Sequence, residues 1–269
     1  PTRRSSDLAL SVYMIDYTNY FKRKLKTQQQ IGLWVGLADA YGTEIAANAG
    51  YDWLLIDGEH APNDLQTVLA QLQATAPSSS HAIVRLVEGN QALIKQYLDL
   101  GAQTLLIPMI ETAEQTRDLV KFMRYPPAGV RGVGTALARA AAWNLNPNYL
   151  KEAEQELCLI IQIESVAGLN NLDEILRVDG VDAVFIGPAD LAGTMGYLGN
   201  PNHPEVVAAV TTAIQKIKAA GKSVGTLAVN PQTALHYERL GVQFIALGVD
   251  TLALANTARS ILSQHKQNL

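Results

Sequence analysis

Eight short apolar segments alternate with segments of helical periodicity from residue 31 onward. The strand candidates, rich in β-branched and aromatic residues, are 31–37, 53–57, 82–86, 104–107, 159–161, 183–186, 223–228 and 244–247. Continuous apolar runs of this length are typical of strands buried on both faces of a parallel sheet. Eight strand–helix units in one domain-sized chain predict a single-domain (β/α)8 TIM barrel of the α/β class. A doubly wound open sheet is the alternative, although it usually contains fewer units.

Two segments depart from this alternation. Residues 1–30 show no clear period and end in a basic, glutamine-rich stretch, so we expect a poorly ordered or loosely docked N-terminal extension before a barrel domain spanning 31–269. We suspect that residues 1–8 are foreign to the natural protein. Residues 129–157 are rich in glycine and then alanine, and this predicts a long irregular connection that serves as a functional loop or an oligomer contact.

Charge and cysteine content exclude several classes of protein. The chain of 269 residues carries a formal net charge of −4, so no general attraction to nucleic acid or to an anionic membrane is expected. It has no apolar run long enough to span a membrane and no signal-peptide pattern at its start. Its single cysteine, Cys158, excludes an intramolecular disulfide and is interpreted as a core residue. We therefore expect a cytoplasmic enzyme that acts on small molecules.

A carboxylate follows each of two consecutive strand candidates. Glu164 comes just after the fifth apolar run, and Asp190 comes just after the sixth, within Gly187-Pro188-Ala189-Asp190. Because the catalytic groups of a barrel gather at the carboxyl ends of its strands, the two side chains are expected to converge. Two converging carboxylates repel each other and are costly to bury, and a hard divalent cation between them removes that cost. The pattern favours a metal site over the alternative, in which each acid only caps a helix.

Other strand ends carry groups suited to acid–base and electrostatic catalysis. His60 follows the second strand, and histidine is a natural general base because imidazole titrates near neutral pH. Arg85 ends the third strand, where it is suited to grip a carboxylate and to stabilise an oxyanion, or else to form a structural ion pair. None of the ten lysines is predicted at the carboxyl end of a strand, so a Schiff-base mechanism is disfavoured and electrophilic activation is assigned to a metal.

Several further polar residues have weaker signals. Asp99 lies at the end of a predicted helix, where an acid opposes the helix dipole, and this hints at a role such as pairing with a histidine. Glu59 and Glu111 also lie near strand ends, but their positions do not separate a chemical role from loop structure. The other histidines are interpreted as solvent-facing: His81, His203, His236 and His265.

With these residues identified, the chain resembles the 4-hydroxy-2-oxoheptanedioate aldolases, which are metal-dependent class II pyruvate aldolases. The resemblance runs from about residue 31 to the C-terminus. It is carried by four blocks in order: Leu54-Leu55-Ile56-Asp57-Gly58-Glu59-His60-Ala61-Pro62, Tyr125-Pro126-Pro127-Ala128-Gly129-Val130-Arg131-Gly132, Gln162-Ile163-Glu164 and Phe185-Ile186-Gly187-Pro188-Ala189-Asp190-Leu191.

The resemblance implies a role for each matching position. Glu164 and Asp190 match metal ligands, with Mg²⁺, Mn²⁺ or Co²⁺ as the cofactor. His60 matches the general base, and Asp99 matches the acid that raises the basicity of that histidine. Arg85 matches the group that stabilises the transition state. The substrate-binding positions are Gln162, Ala189 and Arg85. The resemblance also implies a homohexamer, a trimer of dimers, in which the final helix is exchanged between neighbours.

The reaction implied is the reversible cleavage of 4-hydroxy-2-oxoheptane-1,7-dioate to pyruvate and succinate semialdehyde through a metal-stabilised enolate. An aldolase for 2-keto-3-deoxy sugar acids is the nearest alternative, because the pyruvate half of both substrates is the same. A barrel that only binds a ligand is a less favoured alternative, since the base, the arginine and the metal ligands are all present.

Overall fold

The computed structural model describes residues 16–267 and consists of a closed barrel of eight parallel strands paired in sequence order, with β1 also paired to β8. The predicted fold is therefore confirmed. The strands are β1 (Gln30–Val35), β2 (Trp53–Asp57), β3 (His81–Arg85), β4 (Thr104–Ile107), β5 (Cys158–Ile163), β6 (Ala183–Ile186), β7 (Ser223–Leu227) and β8 (Phe244–Val249). Cys158 is fully buried at the start of β5, as its apolar context predicted.

Helices surround the barrel, and most of them pack an apolar face against it. The described helices are α1 (Tyr20–Lys24), α2 (Ala40–Ala47), α3 (Leu65–Thr75), α4 (Gln91–Asp99), α5 (Ala113–Met123), α6 (Tyr149–Glu156), α7 (Val166–Asn170), α8 (Leu172–Leu176), α9 (Pro188–Thr194), α10 (Pro204–Ala219), α11 (Pro231–Leu240) and α12 (Asp250–Gln267). Side-chain caps begin several of them. Asn90 caps α4, Thr112 and Gln115 form a capping box on α5, and Asn230 caps α11 ahead of Pro231.

The N-terminal mouth of the barrel is closed by an aromatic cluster. Phe21 of α1 is buried and packs edge-to-face on Trp53 and Phe244, with ring centroids 6.3 and 5.6 Å away. Gly32 and Gly225 leave the room for these rings, since a Cβ at either would lie 2.2 Å from Trp53 or Phe244. The mouth is therefore filled by packed side chains rather than by solvent.

Residues 16–29 differ from the expected loosely docked extension. The Asn19 amide donates to the Thr104 hydroxyl at 3.0 Å, and the Ser223 hydroxyl donates to the Leu25 carbonyl at 3.0 Å. The sequence contains no periodic signal here because one short helix is held by contacts with distant strands rather than by its own amphipathic pattern. The rest of the predicted extension, residues 1–15, lies outside the described residues.

His81 was predicted to face solvent, and that prediction is wrong. It begins β3 beneath Phe21, with the two rings stacked 5.5 Å apart at an interplanar angle of 13°. Its Nε2 lies 2.7 Å from the Thr104 hydroxyl. Burial lowers the pKa of His81 to about 4, so the ring is neutral at physiological pH. The sequence did not reveal this because α1 covers a strand start that would otherwise be open.

The segment 129–157 is more ordered than predicted. It contains a 3₁₀ helix at Arg139–Asn144, in which Ala142 and Trp143 have positive φ values of 46° and 53°, and then α6. Apolar side chains stay exposed along it, including Leu137 (88% exposed) and Trp143 (60%). The last helix, α12, has no buried residue at all, although its sequence contains leucines and isoleucine. Among the helices of residues 16–267, none is long and apolar enough to cross a membrane.

Candidate active site

A cavity of about 520 Å³ opens at the carboxyl ends of the strands. This volume is typical of sites for small molecules. Five of the predicted site residues line it: His60, Arg85, Gln162, Ala189 and Asp190. None of the chain's ten lysines, all of which fall within residues 16–267, lies in its wall. The cavity therefore offers acid, base and guanidinium groups but no amine for a Schiff base.

Arg85 is held in the wall of this cavity by three side chains. Its Nε and Nη2 donate to the two carboxylate oxygens of Asp57 at 2.9 and 2.6 Å, a bidentate pairing. Its Nη1 lies 2.7 Å from Glu59 Oε2, an ion pair without hydrogen-bond geometry. The guanidinium also lies over the Trp34 ring, 4.8 Å from the centroid. The arginine is thus only 5% exposed, and its plane is fixed before any substrate binds.

Asp57 organises this corner of the site, and the sequence reasoning did not assign it a role. Beyond Arg85, its carboxylate accepts the Trp34 indole N–H at 3.1 Å and the backbone N–H groups of Glu59 and His60 at 3.0 and 3.3 Å. Burial raises the pKa of this carboxyl, but the hydrogen bonds and charge of Arg85 outweigh burial and lower it below the usual value. A signal was present, because Asp57 is the last residue of a buried strand and belongs to the first block of the resemblance.

His60 lies on the loop that Asp57 anchors. Its side chain is 66% exposed toward the open cavity, and its Nε2 lies 3.9 Å from Glu59 Oε2. Within the described residues, no carboxylate approaches the imidazole more closely than Glu59 does. The backbone is therefore fixed while the ring stays accessible, which suits a group that exchanges protons with a bound molecule.

Glu164 follows β5 and is buried beside Gln162, each being 2% exposed. Its Oε1 accepts the Met109 backbone N–H at 2.9 Å, and its Oε2 accepts the Gln162 amide N–H. Burial raises the pKa of Glu164 to about 7 despite the Met109 bond, and the charges of Asp190 and Glu59 add to the rise. A carboxylate that is hard to ionise on its own is stabilised as an anion by a nearby cation.

Gly187 makes room for this carboxylate. A Cβ at Gly187 would lie 2.5 Å from Glu164 Oε2 and 2.9 Å from the Gln162 amide nitrogen. The chain then turns into α9, whose first turn carries Ala189 and Asp190, both exposed to the cavity. The structure therefore places Glu164 and Asp190 at the same mouth of the barrel, after adjacent and directly paired strands.

The donor set fits a hard divalent cation that keeps open coordination positions. Within residues 16–267, no group of three or more His, Cys, Asp or Glu side chains is arranged to hold a metal. Glu164 and Asp190 supply two carboxylates, and a cation such as Mg²⁺ commonly binds one or two carboxylates and completes its shell with water and substrate oxygens. The Gln162 carbonyl oxygen is buried and has no partner in the described chain, so a polar ligand is also expected beside it.

Asp99 does not join the other predicted residues within one chain. It ends α4, and the chain continues into the start of β4, so it lies at the N-terminal side of the barrel, away from the cavity. There its Oδ1 accepts a hydrogen bond from Arg131 Nη2 at 2.7 Å. The weak sequence signal, an acid at a helix carboxyl end, is explained at least in part by this arginine. Glu111 likewise has a structural partner, since it accepts the Ser165 hydroxyl at 2.6 Å.

Known proteins match this chain along most of its length. The HpcH/HpaI aldolase/citrate lyase family matches residues 30–257, a segment that contains every site residue described above. A protein of Pseudomonas aeruginosa named hydroxypyruvate/pyruvate aldolase is 55% identical over 249 residues, covering 92% of this chain and 93% of that protein. A 4-hydroxy-2-oxo-heptane-1,7-dioate aldolase of Salmonella heidelberg (strain SL476) is 55% identical over 247 residues, covering 91% and 94%.

A solved structure has the same architecture. The crystal structure of an HpcH/HpaI aldolase/citrate lyase family protein from Burkholderia cenocepacia J2315 matches with a TM-score of 0.89 at 37% identity, covering 93% of this chain and 100% of that one. The fold is therefore shared with a protein of this family.

Proposed function

Because the chain belongs to the HpcH/HpaI aldolase/citrate lyase family, whose named relatives are carbon–carbon lyases, we propose that it reversibly cleaves 4-hydroxy-2-oxoheptane-1,7-dioate to pyruvate and succinate semialdehyde. The observation that carries this proposal is the geometry of one cavity. A clamped arginine, an accessible histidine and the Asp190 carboxylate line it, no lysine does, and the buried Glu164 carboxylate lies next to Gln162 of its wall. That set is suited to metal-assisted enolate chemistry rather than to Schiff-base chemistry.

Glu164 and Asp190 would hold the cation, with Mg²⁺, Mn²⁺ or Co²⁺ as candidates. When bound, a divalent ion supplies positive charge against the enolate oxygen and withdraws electrons from the 2-oxo group. The raised pKa of Glu164 supports this assignment, because the buried carboxylate needs a counter-charge to ionise fully. Gln162 and the first turn of α9, with Ala189, form the wall against which the 2-oxo acid would lie.

The chain's own groups perform the proton transfers and stabilise the charge. His60 takes the proton of the substrate's 4-hydroxyl, so that this oxygen forms the carbonyl of succinate semialdehyde. The C3–C4 bond breaks, and its electron pair passes to C3 to give the enolate of pyruvate. Arg85, whose plane is fixed by Asp57, donates its remaining N–H groups to the oxygens of that enolate. A proton delivered to C3 completes pyruvate.

Asp99 requires a second copy of the chain to act on His60. Within one chain it lies at the opposite side of the barrel, bound to Arg131. We propose that the protein is a homo-oligomer, a hexamer arranged as a trimer of dimers, in which Asp99 of one copy approaches His60 of the next. Two features support an extensive contact between copies: α12, which has no buried residue, and the exposed apolar side chains of the segment 129–157. Light scattering measures the assembly directly.

The proposed function is tested by assaying cleavage with the metal controlled. Exhaustive chelation, with metal loss verified by elemental analysis, is expected to abolish pyruvate release, and added Mg²⁺, Mn²⁺ or Co²⁺ is expected to restore it. Full activity of verified metal-free protein would reject the mechanism. The ratio of kcat/KM for 4-hydroxy-2-oxoheptane-1,7-dioate to that for a 2-keto-3-deoxy sugar acid decides between the two aldehyde classes.

A second candidate function differs in the 2-oxo acid that adds to the aldehyde in the reverse reaction, called the donor here, rather than in the aldehyde. The relative from Pseudomonas aeruginosa is as similar as the relative from Salmonella and carries hydroxypyruvate in its name. The reverse reaction, run with pyruvate or hydroxypyruvate against the same aldehyde, measures whether this chain accepts both donors.

A further inference from the structure

The second block of the resemblance, residues 125–132, contains a buried arginine that the proposed reaction does not use. Arg131 is fully buried, and its guanidinium lies over the Tyr125 ring, 4.5 Å from the centroid, with the Tyr149 ring at 5.8 Å. Its Nη2 donates both to Asp99 Oδ1 at 2.7 Å and to the Tyr149 hydroxyl at 3.0 Å. A cation placed this deeply is expected only where it binds something specific.

The backbone of residues 125–132 is fixed by hydrogen bonds that set the position of the Arg131 side chain. The Gly129 N–H donates to the Tyr125 carbonyl at 3.0 Å, and the Arg131 N–H donates to the Arg124 carbonyl at 2.8 Å. A Cβ at Gly129 would lie 2.3 and 2.4 Å from the carbonyl oxygens of Lys121 and Arg124, so only glycine fits. These contacts hold the loop against the end of α5 and place the Arg131 side chain in contact with Asp99.

Arg131 leaves half of the Asp99 carboxylate available. Among residues 16–267, Asp99 Oδ1 accepts the Arg131 bond, whereas Oδ2 takes part in no hydrogen bond. The Asp99 side chain is 28% exposed, and the buried guanidinium offsets the unfavourable position of an acid at the carboxyl end of α4. One oxygen is therefore anchored, and the other is left without a hydrogen-bond partner in the described part of the chain.

We infer that Arg131 is a positioning residue: it orients Asp99 so that Oδ2 meets the imidazole of His60 in a second copy of the chain. This inference rests on the proposed function, in which Asp99 supports that histidine. Tyr125 and Tyr149 hold the guanidinium flat, in the way that Trp34 holds Arg85. The arginine itself does not contact the substrate and acts only through the carboxylate.

The test is a double-mutant cycle on kcat and KM for cleavage, with Arg131→Gln, Asp99→Asn and the double variant in the full-length protein. A misplaced or missing partner for the base is expected to lower kcat by about tenfold or more with little change in KM. Arg131→Gln and Asp99→Asn should lower kcat alike, and the double variant should equal Asp99→Asn within about twofold. Arg131→Lys, which keeps the charge but not the planar guanidinium stacked on Tyr125, should fall between wild type and Arg131→Gln.

The matched control is Arg124→Gln. Arg124 pairs with Glu154 at 3.0 Å on the same side of the barrel, so its loss should leave kcat unchanged. Effects of Arg131→Gln and Asp99→Asn that multiply would overturn the inference, as would a normal kcat in Arg131→Gln beside an impaired Asp99→Asn. A fully active Asp99→Asn would instead reject the role of Asp99 in the proposed function.

Assembly is checked by light scattering and thermal melting. If Arg131→Gln does not assemble, Tyr149→Phe, which removes one hydrogen-bond partner of the guanidinium and keeps its charge, replaces it in the cycle. Tyr149→Phe should lower kcat less than Asp99→Asn does. If this loss disappears when Asp99→Asn is also present, the inference is supported, and if the loss persists in the double variant, the inference is contradicted.

Discussion

Each mouth of the barrel contains a titratable group whose pKa is strongly shifted by burial, and the two groups are satisfied in different ways. At the N-terminal mouth, burial lowers the pKa of His81 to about 4, and the neutral ring is satisfied by Phe21 and the Thr104 hydroxyl. At the C-terminal mouth, burial raises the pKa of Glu164 to about 7, and Asp190 and Glu59 make ionisation harder still. The first site is satisfied by protein groups alone, whereas the second, under the proposed function, is completed by a cation.

The same contrast holds for packing. Aromatic rings close the N-terminal mouth, here called the lower mouth, around Phe21. The C-terminal mouth, here called the upper mouth, keeps a cavity of about 520 Å³. The side chains below are held by shape, and those above are held by charge-assisted hydrogen bonds such as Arg85 to Asp57. We therefore expect changes below to alter stability and changes above to alter catalysis.

The largest effect is expected from Glu164→Gln. The neutral amide keeps the size of the side chain but removes one of the two proposed anionic ligands, so kcat/KM for cleavage should fall by about 1,000-fold or more. Isothermal titration with Mn²⁺ should show a matching loss of affinity. Glu111→Gln is the control, because that acid binds Ser165 and lies outside the cavity wall. Retained metal affinity in Glu164→Gln would show that the carboxylate is not a ligand.

Phe21→Ala tests the lower mouth. Removing a buried ring from a packed cluster should reduce the free energy of unfolding by about 3–5 kcal/mol, measured by denaturant titration. The kcat of the folded variant should stay within about twofold of wild type, since Phe21 lies at the closed end. Tyr20→Ala, which removes a 56% exposed ring from the same helix, should change stability little. A large fall in kcat for Phe21→Ala would mean that the two mouths are coupled.

Asp57→Asn tests whether the upper mouth is held by charge. The amide cannot accept both Arg85 bonds, so the guanidinium should lose its fixed plane, and kcat should fall by about 10- to 100-fold. Trp34→Phe removes the indole donor to Asp57 and leaves a smaller aromatic ring beside Arg85, while both Asp57–Arg85 bonds stay possible, so it should have a smaller effect. Steady-state kinetics on both variants give the comparison, and an Asp57→Asn enzyme with normal kcat would show that Arg85 is oriented by other contacts.

The smallest effects concern pH, and they have opposite signs at the two mouths. Glu164 has its pKa raised from 4.5 to about 7, so in metal-free protein its contribution to stability is present below pH 4.5 and is lost as pH rises through 7. His81 has its pKa lowered from 6.5 to about 4, so its contribution is present above pH 6.5 and is lost as pH falls through 4. Each change is at most about 3 kcal/mol.

Denaturant titrations of metal-free protein from pH 4 to 8 measure both effects. Glu164→Gln should be more stable than wild type at pH 8 and should lose this advantage near pH 5. His81→Gln should weaken the acid-induced loss of stability without changing the behaviour at pH 8. If saturating Mg²⁺ left the difference at pH 8 unchanged, the cation would not be acting at Glu164.

Local patterns in the chain predicted much of the fold. Strands β2, β4 and β6 begin and end where their apolar runs do, because an apolar run of that length is stable only when buried on both faces. The caps Asn90 and Asn230 act on N–H groups two or three residues away, so they too depend on local order. The positions of Glu164 and Asp190 at one mouth follow from the barrel and the ends of two strands, whereas their binding of metal remains a prediction.

Longer-range pairings could not be deduced in this way. Arg85 meets Asp57 across 28 positions, and Arg131 meets Asp99 across 32. Phe21 contacts Phe244, a residue 223 positions away in the chain. This contact helps to hold residues 16–29, which the sequence suggested were loosely docked, against the N-terminal mouth of the barrel. Such pairs carry no periodic signal, since either partner alone is compatible with many surroundings.

The sequence alone therefore determined the eight-unit alternation, the approximate positions of the strands and the chemical types near their carboxyl ends, because these depend on burial and hydrogen bonding over a few residues. Closure of the barrel decided the rest. It pairs Arg85 with Asp57 and buries His81 beside Thr104. It also places Asp99 on the opposite side of the barrel from His60 of the same chain. The physical reason is that charge pairing and desolvation are set by distances in space, which only the folded chain defines.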